Sequence, residues 1–156
     1  MIDLHSHIFQ FDDGAQIMED SVKVAKQEVH EGIHTIAANP HHQNRKYINE
    51  KNEILHRVSV LNNYLIQENI PLIILPGQES PIYEGIIRDY RNGKMLTLNQ
   101  LNKYIFIVLP SSQMPQFIAR LIYDIQAEAG RRIPSIFVPP ERSRRAFYII
   151  LSTKVR

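Results

Sequence analysis

The sequence predicts an α/β fold built from parallel β/α units. Three observations carry this. Short apolar runs and helical stretches alternate about five times along the chain. The runs are apolar throughout rather than alternating, as in strands covered on both faces. Residues able to do chemistry collect just after the runs, where parallel β/α folds place their sites. The handedness of strand–crossover–strand units leaves a doubly wound sheet or a β/α barrel.

The elements follow in order. The first run is Ile2 to His7. Met18, Val22, Ala25 and Val29 then recur at helical spacing, and Gly32 is placed to stop that helix. The second run, Thr35 to Ala38, ends at Asn39-Pro40. Ile54, Val58, Leu61 and Leu65 mark one face of the next helix. The third run, Leu72 to Leu75, ends at Pro76-Gly77. A shorter helix covers Tyr83 to Tyr90 and stops near Asn92-Gly93. The fourth run is Tyr104 to Leu109, ended by Pro110. Phe117, Leu121 and Ile125 share a helical face, with Pro115 suited to the first turn and Gly130 closing it. The fifth run, Ile133 to Val138, ends at Pro139-Pro140. Phe147 to Leu151 reads as one further strand with no helix after it.

Composition sets the class. The chain has 156 residues, of which 44% are hydrophobic and 22% charged, the balance of an ordinary single globular domain. No run approaches the roughly 18 apolar residues of a membrane span. The opening Met1-Ile2-Asp3-Leu4-His5 does not read as a signal peptide. Cysteine is absent, so thiolate ligands and cysteine nucleophiles are excluded, and the cytoplasm is the expected compartment. The net charge of +2 is uneven: residues 131–156 hold seven basic residues and one acid, leaving −4 for the rest. Such a tail fits nucleic acid or anionic membrane, but little aromatic residue is interleaved with it, and nucleic acid is not expected as a partner. All seven histidines lie within the first 56 residues.

His5-Ser6-His7 is the sharpest signal. Residues i and i+2 of a strand share a face, so two imidazoles there can bind one metal ion. Alone, the pair also fits an exposed turn. Asp12 and Asp13 follow in the same loop, His41 and His42 follow the second run, and Glu79 follows the third. His41 and His42 diverge in extended chain, so at most one joins a site, the other being a solvated loop residue. His30 and His56 read as surface residues and His34 as structural. Mixed histidine and carboxylate ligands suit a hydrolytic metal site acting at phosphorus. Arg142 could grip phosphate oxygens in bidentate fashion, or simply belong to the basic tail. The sequence contains no phosphate-binding glycine loop and no serine nucleophile elbow.

Taken together, Ile2-Asp3-Leu4-His5-Ser6-His7, Asp12-Asp13-Gly14, Gly32-Ile33-His34-Thr35-Ile36-Ala37, Asn39-Pro40-His41-His42, Leu75-Pro76-Gly77-Gln78-Glu79, Leu96-Thr97-Leu98-Asn99 and Pro140-Glu141-Arg142 resemble one family. It is the bacterial PHP-type, manganese-dependent protein tyrosine phosphatases of capsule and exopolysaccharide gene clusters. The resemblance runs from Met1 to about Arg142, which sets a β/α domain at 1–142 and a divergent basic tail at 143–156.

The resemblance implies a distorted β/α barrel, with about five of seven units present in this chain. It implies hydrolysis of phosphotyrosine by a metal-activated water, on a tyrosine kinase that regulates polysaccharide synthesis. By motif, His5, His7 and Glu79 match ligands of a first metal, with Glu79 bridging. Asp13 and His41 match ligands of another, and Arg142 matches a phosphate contact. Manganese is the implied cofactor, with other divalent ions as alternatives. Among its departures from the family, two fall on ligand positions: Val108 stands where the family carries a ligand glutamate, and Pro139 where it carries a ligand histidine. The expected remaining site is one metal on His5, His7 and Glu79. An inactive metal- or kinase-binding module, a homo-oligomer that completes the barrel, and another phosphoesterase of the same superfamily stand as alternatives.

Overall fold

The computed structural model describes residues 1–9, 17–101, 104–109, 116–128, 135–137 and 147–152. In chain order the elements are β1 (Ile2–Ser6), α1 (Met18–His30), β2 (Thr35–Ala38), α2 (Lys51–Gln67), β3 (Ile73–Pro76), β4 (Glu79–Pro81), α3 (Ile86–Arg91), β5 (Tyr104–Leu109), α4 (Ile118–Glu128), β6 (Ser135–Phe137) and β7 (Phe147–Ser152). A single 3₁₀ turn at Leu98–Gln100 precedes β5. The strands form two sheets, β1-β2-β3 and β4-β5-β7-β6.

The first sheet is parallel throughout, because α1 and α2 each return the chain to the same edge direction. Both helices obey the spacing of their apolar residues. On α2, Ile54, Val58, Leu61 and Leu65 are all buried. On α1, Ala25 is buried, and Met18, Val22 and Val29 pack against the same core. That core also holds Ile8, Phe9, Ile36, Leu72 and Ile74. Each fully buried aliphatic side chain contributes at most about 1.5–3 kcal/mol, the extended chain being the reference. Past the end of α1, Gly32 takes φ +80°, a left-handed value that favours glycine.

A second core joins β4 and β5 to α3 and α4 through Ile82, Ile86, Met95, Ile105, Ile107, Leu109, Ile118 and Leu121. The short helix expected at Tyr83 begins later, at Ile86, since Gly85 serves as its N-cap.

Three features extend or change the expectations. Glu79 follows the third run and also opens a further strand, β4, which pairs in parallel with β5. The final strand is antiparallel: β7 lies between β5 and β6 and opposes both, so the β5 and β6 chains run the same way without touching. The strands are not all covered on both faces. Ile2 is 62% and Ile73 57% exposed, side by side across Thr35, because α1 and α2 cover the other face of this sheet. Among the described residues, no helix is long and apolar enough to cross a membrane.

Candidate metal centre

The candidate centre lies where the C-terminal ends of β1 and β2 meet the start of β4. Strand β1 is irregular there. Asp3 pairs with Ile36 and Ser6 with Ala38, so one extra residue of β1 is accommodated between them. Such a bulge re-aims side chains at a strand end. The carbonyl of Leu4, within the bulge, accepts a hydrogen bond from the buried Asn39 side chain at 2.7 Å. The same amide donates to the Ala37 carbonyl at 3.0 Å, and the Asn39 backbone N–H donates to the Ser6 carbonyl at 2.9 Å. Asn39 therefore stitches the ends of β1 and β2 together.

His5 and His7 leave this bulge on one side, as their spacing predicts. Their rings meet edge to face with centroids 4.9 Å apart, and their Nε2 atoms lie 3.3 Å apart. Glu79 is 1% exposed and faces them from β4. Its Oε2 is 2.6 Å from His5 Nε2 and 3.6 Å from His7 Nε2. His5, His7 and Glu79 each offer a ligand atom within 4.8 Å of the others, close enough for one ion. His41 approaches the other carboxylate oxygen, its Nδ1 standing 3.1 Å from Glu79 Oε1. The His7 and His41 ring centroids are 4.7 Å apart.

Burial pushes the Glu79 pKa up, but the hydrogen bonds and charges of His41 and His5 outweigh it and hold the carboxyl below its ordinary value. The group is thus ionised, as ligation requires. Three imidazoles and a carboxylate make a donor set suited to a divalent transition ion.

The supporting residues were not singled out from sequence. Phe106 pairs with Glu79 across β4 and β5 and stacks under His5 at 6.3 Å between centroids. Tyr47 stacks behind His41 at 6.3 Å, with Lys46 Nζ 4.7 Å from the Tyr47 ring centroid. Gln78 and Asn49 are buried polar residues beside the centre. An amide directly before Glu79 and another directly after the β2 run were the available signals.

His42 corrects its expectation. It is not a solvated loop histidine but 5% exposed, because the chain turns it inward as His41 turns toward Glu79. Burial lowers its pKa, opposed by a hydrogen bond to the Asn49 backbone. His30 and His56 are exposed, as expected. His34 is exposed too; only its backbone is structural, bonding Met1 and Ile73. Asp13, Pro139 and Arg142 lie outside the described residues. Val108 is on β5, partly buried and in register with Pro81.

Residues 1–133 match the family model described as capsular polysaccharide synthesis, CpsB/CapC. The chain belongs to this CpsB/CapC family. It is 42% identical over 145 residues to the tyrosine-protein phosphatase YwqE of Bacillus subtilis (strain 168), covering 92% of this chain and 56% of that one. It is 30% identical over 145 residues to CapC of Staphylococcus aureus, covering 92% and 55%. The chain thus spans little more than half the length of these relatives. A solved structure from work on YwqE and on CpsB of Streptococcus pneumoniae, described there as metal-dependent tyrosine phosphatases, superposes with TM-score 0.76. It shares 43% identity and covers 81% of this chain and 51% of that chain. CpsB/CapC membership agrees with the family resemblance read from the motifs.

Proposed function

We propose that this CpsB/CapC chain is a metal-dependent protein tyrosine phosphatase of capsular polysaccharide synthesis. The observation that carries this is the convergence of His5, His7 and Glu79 at neighbouring strand ends, in a chain 42% identical to a protein named for that activity. The relatives' names and the metal-ready donor set support the same reading independently.

Under this reading His5, His7 and Glu79 hold one divalent ion, with manganese the expected metal. Glu79 presents Oε2 to His5 and His7 and Oε1 to His41. As the family resemblance implies, His41 and Asp13 would hold a second ion, with Glu79 shared between the two. A divalent ion supplies Lewis acidity, which favours water as a nucleophile at neutral pH. The chain's own residues do the rest. Glu79 keeps negative charge at the centre, His7 and His41 stand side by side next to it, and Phe106 stacks on the His5 ring. Arg142 contacts the phosphate of the substrate.

The substrate is a phosphotyrosine protein, a bacterial tyrosine kinase in the same process, and the compartment is the cytoplasm.

A second reading, binding of metal or kinase without turnover, is favoured by one observation. Val108 places an apolar side chain on β5 where the family pattern carries a glutamate ligand. Phosphate release from a phosphotyrosine peptide with added Mn²⁺ separates the two. Turnover that disappears in His5→Ala supports the phosphatase. A folded sample that binds Mn²⁺ and releases no phosphate supports the second reading.

A further inference from the structure

We propose that Gln78 and Asn49 are positioning residues that hold His41 against Glu79 and so set the affinity of the metal centre; the metal half of this rests on the reading above. Gln78 is 1% exposed and stands next to Glu79 on the chain. Both ends of its amide are engaged. Nε2 donates to the Asn49 carbonyl at 2.9 Å, and Oε1 accepts from the Leu96 backbone N–H at 2.9 Å. Asn49, 5% exposed, then passes the connection on: its Nδ2 donates to the His41 carbonyl at 2.7 Å.

The consequence is geometric. Residues 41–50 contain no helix or extended strand to fix them. Within that stretch Gln43 and Arg45 have φ of 55° and 73°, left-handed values that non-glycine residues adopt at a cost. His41 is fixed instead at two points. One is its backbone bridge to Glu79, with the His42 N–H donating to the Glu79 carbonyl at 2.7 Å and the Glu79 N–H to the Pro40 carbonyl at 3.1 Å. The other is the Gln78–Asn49 relay, which anchors the far end of the segment to the chain beside Glu79. Buried amides whose every partner is backbone define position rather than charge, and partners one step behind metal ligands commonly tune affinity.

A purely structural role predicts something different, and Asn62 supplies the control. Asn62 is also a two-way amide clamp: its Nδ2 donates to the Ile74 carbonyl and its Oδ1 accepts from the Ile74 N–H, both at 2.9 Å. It ties α2 to β3 and touches none of the centre's side chains in these bonds.

The experiment compares Gln78→Met, Asn49→Ala, His41→Ala and Asn62→Leu in the full chain. Two readouts are used: calorimetric titration with Mn²⁺, and the imidazole N–H resonances of the metal-free chain by NMR. Gln78→Met and Asn49→Ala are expected to weaken Mn²⁺ binding by about 10- to 100-fold. Both should also lose the His41 Nδ1–H resonance that His41→Ala identifies. Asn62→Leu should lower the unfolding temperature and leave both readouts as in the unaltered chain. Retention of the resonance in Gln78→Met, or its equal loss in Asn62→Leu, overturns the proposal. If the unaltered chain takes up no Mn²⁺, the metal reading fails, and the resonance comparison still decides whether the relay positions His41.

Discussion

His41 and Glu79 are joined twice. Their backbones form a parallel bridge, and the His41 Nδ1 stands 3.1 Å from Glu79 Oε1. A side-chain pair set on a backbone pair has little freedom left to lose when a ligand arrives. The centre is thus preorganised where the chain leaves its strands and is tied back to β4, which favours tight and specific ligation.

Asn39 and Gly77 are coupled by close approach. A Cβ on Gly77 would collide with Asn39 Oδ1 and stand 3.1 Å from the Ala38 carbonyl. Gly77→Ala is expected to destabilise the chain by about 1–3 kcal/mol through overpacking. Asn39→Ala is expected to cost about 2 kcal/mol, because the Leu4 and Ala37 carbonyls lose their donor. The double variant should cost less than the sum, since the atom struck by the new Cβ is gone. Urea unfolding of the four proteins measures this, and strict additivity would contradict the contact.

The Tyr83–Asp89 pair predicts a pH dependence away from the centre. The Tyr83 hydroxyl donates to Asp89 Oδ2 at 2.8 Å. That bond, opposed by burial and aided by Arg88 and Lys94, holds the Asp89 carboxyl below its ordinary range. Burial, then the bond and charge of Asp89, raise the Tyr83 pKa. A depressed carboxylate adds stability above its unfolded pKa and loses it as pH falls through the folded value. A raised phenol adds stability below its unfolded pKa and loses it as pH rises through the folded one. Tyr83→Phe should therefore cost about 1 kcal/mol, the pair being partly solvated, across the neutral range. The difference from the unaltered chain should vanish in strong acid, below the ordinary aspartate range, and again in strong alkali, above the ordinary tyrosine range. Thermal unfolding at a series of pH values checks it.

Metal should act as a stabilising ligand of the folded chain. Mn²⁺ at 100 times its dissociation constant is expected to add about 2.7 kcal/mol, reversed by a chelator. Glu79→Ala should abolish the increment, because His5, His7 and His41 all turn on that carboxylate. Melting curves with and without Mn²⁺ and chelator test the point.

Much of the centre was legible because strand ends are legible. The spacing of His5 and His7 and the place of Glu79 after its apolar run pointed to three of these side chains, while the choice of His41 over His42 came from the family resemblance. Their supports were not legible. Asn39, Asn49 and Gln78 act through backbone carbonyls and N–H groups of other segments, and an amide in the sequence does not say which of these it will hold. The helical faces of α1 and α2 followed directly from periodicity. The antiparallel β7 did not, because an apolar run such as Phe147 to Leu151 carries no sign of its direction. The opening of β4 at Glu79 was hidden for a related reason. A three-residue strand ending in Pro81 is too short to show a period.

The central claim is that His5, His7 and Glu79 hold a divalent metal ion. Calorimetric titration of the metal-free chain with Mn²⁺, beside His5→Ala, tests it most directly. Saturable uptake by the unaltered chain, lost in a folded His5→Ala variant, is the predicted result. Equal uptake by the two proteins, or none by the unaltered chain, would contradict it.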